Sequence, residues 1–192
     1  MGVYCTRLLS DEEVEKIINL VRHGYTDYND VPHKPNPQIA TILCLQANLG
    51  CRINDIVNMR VENVVFDGEA WRLNLIEQKT GKARPFLVPT PVKGVIDRWC
   101  EKHRITTGRL FSITAQAVWK QLRNVTSYLG YTNVSAHSFR KRAAMNVYET
   151  SGKDIALTSQ FLNHSSSATS LLYLKRSSKQ MDDVISKIAL IV

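Results

Sequence analysis

Apolar positions near the N-terminus recur at helical spacing. Val14, Ile17, Ile18 and Val21 follow Ser10, which with Glu13 carries the signature of a capping box, so a helix is expected to start at Ser10. Residues 23–36 hold two prolines and a run of polar turn formers and read as a loop. Pro37 suits the first position of the next helix, where its missing N–H costs nothing. The stretch from Ile39 to Leu49 is apolar enough to be buried, and Gly50 ends it. A second short helix is expected through Asp55, Ile56 and Met59, ahead of Val61–Val65.

The period then changes from helical to two. Trp71, Leu73 and Leu75 alternate with Arg72 and Asn74, a strand pattern, and Pro85–Val88 reads as its partner across the turn Lys79-Thr80-Gly81-Lys82. After Pro89 and Pro91 the helical period resumes at Val92, Val95, Ile96 and Trp99. Further helices fit Ala115–Leu129 with Gly130 just past its end, His137–Thr150, Lys153–Phe161 and a segment reaching Tyr173. Met181, Val184, Ile185, Ile188 and Ile191 fall on one face of a last segment. The expected fold class is α+β, mainly α, with one small antiparallel β-sheet, and residues 1–192 read as a single domain without repeats or internal linker.

Composition narrows the class. A chain of 192 residues with 44% hydrophobic and 22% charged positions can bury a core without staples. No apolar run reaches membrane-spanning length and the N-terminus lacks a signal-peptide pattern, which leaves a cytoplasmic protein as the expectation, with no membrane partner. Cys5, Cys44, Cys51 and Cys100 are scattered, form no CxxC pair and read as reduced thiols. The net charge of +8 is unevenly spread: residues 1–67 carry 6 basic against 9 acidic side chains, residues 72–109 carry 9 against 3, and residues 133–180 carry 7 against 2. A basic middle and C-terminal third suits a surface that neutralises phosphates, although a solvated basic face gives the same count.

Four local features carry chemistry. His137-Ser138-Phe139-Arg140 sets an imidazole and a guanidinium three residues apart on one helix face; the plain alternative is a surface His beside a surface Arg. Gly50-Cys51-Arg52-Ile53-Asn54-Asp55 puts an arginine at a helix junction behind a buried helix, where a structural Arg52–Asp55 pair is the competing reading. The Lys79-Thr80-Gly81-Lys82 turn either is solvated or carries an ammonium into a groove. In Leu162-Asn163-His164-Ser165-Ser166, followed by Thr169 and Tyr173, small residues separate a histidine from a tyrosine; a packed tyrosine beside Leu171 and Leu172 is the alternative.

In chain order these residues are Arg52, Lys79, His137, Arg140, His164 and Tyr173. The order resembles the tyrosine recombinase (phage integrase) family: an arginine at a helix junction, a lysine on a β-turn, an HxxR helix, a histidine or tryptophan, then a nucleophilic tyrosine. The surrounding LGCRINDIVNMRVENV, KTGKARPFLVP and LNHSSSATSLLYLK are similar to that family's boxes, and the resemblance spans roughly residues 10–190. Asn163 stands where glycine is usual, Lys141 where histidine is common, and IALTSQFLNH is less regular than most.

The resemblance implies the catalytic domain of a site-specific recombinase that breaks and rejoins double-stranded DNA through a 3′-phosphotyrosyl link to Tyr173. Arg52 and Arg140 would clamp the charged phosphorane, since guanidiniums stay charged and donate in pairs. A tyrosine of ordinary pKa is only about one part in a thousand ionised at pH 7, a gap of roughly 4 kcal/mol. His137 would take its proton, Lys79 would protonate the leaving 5′ oxygen, and His164 would bond a phosphate oxygen. Rejoining draws on the stored covalent link, so neither metal nor cofactor is expected. Self-association as a tetramer on DNA and an accessory DNA-bending protein are further implied partners. The family's N-terminal core-binding domain is expected to be absent, and residues 179–192 are expected to form a C-terminal helix that packs on its own domain or in trans on a neighbouring protomer. The alternatives are a type IB topoisomerase-like DNA relaxing enzyme and a DNA-binding protein without catalysis.

Overall fold

The computed structural model describes residues 6–83, 85–163 and 184–188. Helix α1 (Asp11–His23) starts where Ser10 caps it: the Ser10 hydroxyl accepts the Glu13 N–H at 3.2 Å and the Glu13 carboxylate accepts the Ser10 N–H at 3.0 Å. Its i, i+3, i+4, i+7 face of Val14, Ile17, Ile18 and Val21 is fully buried, and each such side chain contributes about 1.5–3 kcal/mol. The following loop is tied by a two-stranded antiparallel pair, β1 (Tyr25–Thr26) and β2 (Pro32–His33), which the loop reading of 23–36 does not anticipate. Tyr25 stacks on His33 and on Tyr128, so this small ladder rests on aromatic packing.

Helix α2 (Pro37–Leu49) has Pro37 in its first turn and is buried nearly all round, from Ile39 through Leu49 except Thr41. It packs against α1 on one side and against α6 (Ala136–Thr150) on another, so it is the centre of the molecule. Gly50 closes it with φ of +60°, and a Cβ there would meet the Phe161 ring at 2.4 Å, so both the left-handed turn and the close approach require glycine. The chain turns into short α3 (Ile53–Val57), then one 3₁₀ turn (Val61–Asn63).

The three-stranded antiparallel sheet has the order β3 (Val64–Phe66), β4 (Trp71–Leu73), β5 (Phe86–Leu87). Val64 pairs with Leu73, Phe66 with Trp71, and Leu73 in turn with Phe86. The β4–β5 hairpin is the one the alternating pattern indicates. Strand β3 is additional; three residues are too few to show a period. The hairpin continues past the strands through a bridge between Ile76 and Ala83 to its tip at residues 78–80. Helices α4 (Thr90–His103), α5 (Ala115–Tyr128), α6 and α7 (Ile155–Phe161) follow. The described residues are therefore mainly helical with two small antiparallel sheets, one more than the sequence pattern indicates.

Two features fix α6. The N-terminal segment lies across it: Lys141 Nζ donates to the Thr6 carbonyl at 2.6 Å, and Arg142 grips Asp11 with two bonds of 2.7 and 2.8 Å. On its far side, Ala143 and Val147 join Leu157, Phe161, Val184, Ile185 and Ile188 in a second apolar cluster. The described part of the C-terminal face, Val184, Ile185 and Ile188, is thus buried on its own chain, while Met181 and Ile191 lie outside the described residues. Among the described residues no helix is long and apolar enough to cross a membrane.

Candidate active site

Four of the six residues singled out in the sequence lie among the described residues; His164 and Tyr173 lie outside them. Arg52 is the N-cap residue of α3, with extended backbone at φ −69° and ψ 149°, and its side chain makes no capping hydrogen bond. Lys79 is exposed at the hairpin tip. His137 and Arg140 lie on the first turns of α6, which Ser135 caps by accepting the His137 N–H at 3.2 Å.

These four share one electrostatic neighbourhood. The His137 imidazole is held below its ordinary pKa of 6.5, first by burial and then by the positive charges of Arg140, Lys141, Arg52 and Lys79. Arg52 and Lys79, remote from His137 in sequence, therefore act on its ring through space. The field favours neutral imidazole, the form that accepts a proton.

Arg140 is not the surface arginine of the plain reading. It is 3% exposed, and its fork is pinned by the Gly50 carbonyl at 2.7 Å from Nη1 and the Leu162 carbonyl at 2.7 Å from Nη2. One acceptor is the left-handed turn that ends α2, next to Arg52. The other, Leu162, lies just past α7 and is the first residue of the box that carries His164 and Tyr173. A single guanidinium thus ties together three elements that are remote in sequence.

The arrangement around Arg52 rules against the competing reading of an Arg52–Asp55 pair. The carboxylate that holds Arg52 is Glu77, with Nη1 to Oε2 at 2.5 Å and a fully buried Glu77 side chain. Asp55 instead accepts the Gln78 N–H at 3.0 Å, and its second oxygen, Oδ2, is buried without a hydrogen-bond partner. Burial is the main cause that raises the Asp55 pKa, opposed by the Gln78 bond; Glu77 adds to the rise, while Arg52 and Arg140 oppose it. Asp55 and Glu77 both brace the hairpin from below, one through backbone, the other through side chain.

Glu77 is absent from the sequence-based candidates, yet a signal was present. Leu73, Leu75 and Glu77 share one face at period two, and all three are buried. An acid on the apolar phase of a strand needs a buried cation or donor, and the basic neighbours were Arg52 and the lysine turn. Asn163, where the family pattern has glycine, adopts φ of +54°, a left-handed conformation that asparagine tolerates best among residues with a Cβ. Its Nδ2 donates to the Ala83 carbonyl at 3.3 Å, linking the last box to the lysine hairpin. Beside His137 and Arg140 opens a cleft of about 540 Å³ whose walls include Leu8, Met145, Tyr148 and Leu162.

The phage integrase family matches residues 7–180, which is most of the chain. This chain belongs to that family. Among curated relatives, it is similar to tyrosine recombinase XerA of Pyrococcus horikoshii, 24% identical over 192 residues that cover 95% of this chain and 61% of that protein. It is also similar to the probable integrase/recombinase YoeC of Bacillus subtilis, 26% identical over 133 residues, 66% of this chain and 71% of that protein. The chain spans about three-fifths of the length of the XerA relatives it matches, 61% and 60%. Its fold is shared with the integrase from mycobacterium phage Brujita, at a TM-score of 0.68 and 12% identity over 100% of this chain and 61% of that one. A lambda integrase (75–356) dimer bound to a COC′ core site gives 0.64 at 18% identity over 88% of this chain and 61% of that one.

Proposed function

We propose that this integrase-family domain is the catalytic part of a site-specific DNA recombinase, with double-stranded DNA as substrate and partner. The observation that carries the reading is the shared electrostatic neighbourhood of His137, which feels the charges of Arg52, Lys79 and Arg140 from three separate segments, in a family-matched chain. A cluster of cations acting on one imidazole fits a phosphodiester whose non-bridging oxygens gain charge as phosphorus becomes five-coordinate.

In this reading the Tyr173 oxygen attacks the phosphorus. The new O–P bond forms as the bond to the 5′ oxygen breaks, with the electron pair leaving on that oxygen. His137 takes the phenolic proton, and Lys79 gives a proton to the departing 5′ oxygen. Arg52 and Arg140 bind the non-bridging oxygens, and His164 donates to one of them. The lowered His137 pKa supports the base role, because most of the population is neutral at pH 7 before DNA arrives. The phosphotyrosyl link keeps the energy of the broken bond, so the 5′ hydroxyl of another strand can reverse the step without a cofactor. Four protomers assembled on two paired sites, in the cytoplasm, complete the reading; residues 179–192 are then free to exchange between protomers only if Val184, Ile185 and Ile188 leave their own cluster.

Covalent trapping tests it. Nicked duplexes tiled from DNA flanking the gene are incubated with protein in EDTA, denatured and resolved by mass. An adduct that forms with wild type and disappears with Tyr173→Phe is expected. An adduct that persists in Tyr173→Phe overturns the nucleophile, and cleavage that requires a divalent metal overturns the mechanism. Strand exchange between two sites, rather than relaxation of a supercoil, separates recombination from topoisomerase activity.

A further inference from the structure

The buried acid under the lysine hairpin has no place in the chemistry so far. Glu77 side-chain Oε2 accepts from two groups at once, Arg52 Nη1 at 2.5 Å and the Thr80 hydroxyl at 2.8 Å. Its backbone builds the same turn: its N–H donates to the Lys82 carbonyl at 2.9 Å, and its carbonyl accepts the N–H groups of Thr80 at 3.3 Å and Gly81 at 2.8 Å. Every residue flanking Lys79 in the tip is therefore referenced to Glu77 or, through Gln78, to Asp55.

A carboxylate that is fully buried is costly unless paired and hydrogen-bonded. Here the compensating cation is itself a phosphate-binding candidate, still 22% exposed on its side chain. The pair thus does more than fill the core: it holds Arg52 Nη1 while part of the Arg52 side chain stays open to solvent. Because Thr80 Oγ1 shares the same oxygen, a shift of Arg52 toward an incoming phosphate pulls on the turn next to Lys79. Purely structural burial would be served by an apolar residue continuing the Leu73, Leu75 phase.

We propose that Glu77 is a positioning residue that couples Arg52 to the Lys79 turn, so that the phosphate clamp and the leaving-group acid are set by one carboxylate. This rests on the recombinase reading above. Displacing a reacting group by about 1 Å can cost on the order of 100-fold, so loss of the coupling is expected to slow cleavage by about 10- to 100-fold.

The test compares single-turnover cleavage of two suicide duplexes that differ at one atom, with oxygen or sulfur bridging phosphorus to the 5′ carbon. When the P–S bond breaks, the electron pair rests on a thiolate, which leaves without a proton. Lys79→Ala is the reference for a lost acid and Arg52→Ala for a lost clamp. Glu77→Gln is expected to be slow on the oxygen duplex and to recover partly on the sulfur duplex, midway between the two references. Thr80→Ala, which cuts only the hydroxyl link, is expected to show a smaller defect that recovers nearly fully; it carries the test if Glu77→Gln loses its far-UV circular dichroism. Equal slowing on both duplexes, or wild-type rates on both, overturns the proposal. Wild type inert on both duplexes overturns the recombinase reading instead.

Discussion

Replacing Arg140 separates its two jobs. The side chain is 3% exposed, and its two bonds of 2.7 Å reach carbonyls of different segments, Gly50 and Leu162. Lysine keeps the charge but lacks the planar fork whose two nitrogens each meet one of these acceptors. Arg140→Lys therefore loses one charge-assisted bond and strands one buried carbonyl, for a stability loss of about 2–4 kcal/mol. Arg140→Ala strands both carbonyls and is expected to cost about 3–5 kcal/mol. If Arg140 also binds the transferring phosphate, either variant loses roughly 3–4 kcal/mol of barrier lowering, or about 100- to 1000-fold in adduct formation. Urea unfolding gives the first quantity; single-turnover adduct formation at a temperature where each variant is folded gives the second. Arg140→Lys with wild-type stability and a wild-type rate would falsify the fork argument. A stability loss with an unchanged rate would show a strut without a chemical role.

Three further outcomes are expected. Because the His137 pKa is lowered, its neutral form persists below pH 6.5, so the acid limb of adduct formation should fall at a pH under that value in the DNA-free enzyme, and an apparent pKa at or above 6.5 would reject the field argument. Gly50→Ala must place a Cβ 2.4 Å from Phe161 at φ +60°, so thermal melting should show a loss above about 2 kcal/mol, together with slower adduct formation because Gly50 supplies an Arg140 acceptor; an unperturbed variant would contradict the packing. The raised Asp55 pKa makes its ionisation unfavourable to the folded state. Wild type should therefore lose stability relative to Asp55→Asn as pH rises from the ordinary value of 3.8 through the raised one, and the opposite slope in paired melting curves would refute it.

Much of the helical frame was legible because its signals are local. The Ser10–Glu13 capping box, Pro37 at the start of α2, Gly50 at its end and the apolar run between them each satisfy backbone or burial demands within a few residues. The β4–β5 hairpin was legible for the same reason, by alternation and turn chemistry. The β1–β2 pair and strand β3 were not, because elements of two and three residues carry no period and are held by what packs on them. The order Arg52, Lys79, His137, Arg140, His164, Tyr173 is likewise a property of the chain alone, and family membership follows from it and from the match over residues 7–180.

Sequence by itself determined which groups are available and which segments are helix, strand or turn, since capping, periodicity and glycine placement act over one or two turns of chain. Only the tertiary structure decided who holds whom. Arg52 has an acid three residues away, yet its partner is Glu77, 25 positions on, because the hairpin folds back over the junction at Gly50 and brings a buried carboxylate within 2.5 Å. On its helix alone Arg140 is compatible with the surface position of the plain alternative, yet it is buried, because the ends of α2 and α7 meet over it and present two carbonyls that need a donor. Charges and unsatisfied backbone groups choose partners by distance and desolvation, and both are set by how elements pack rather than by their order.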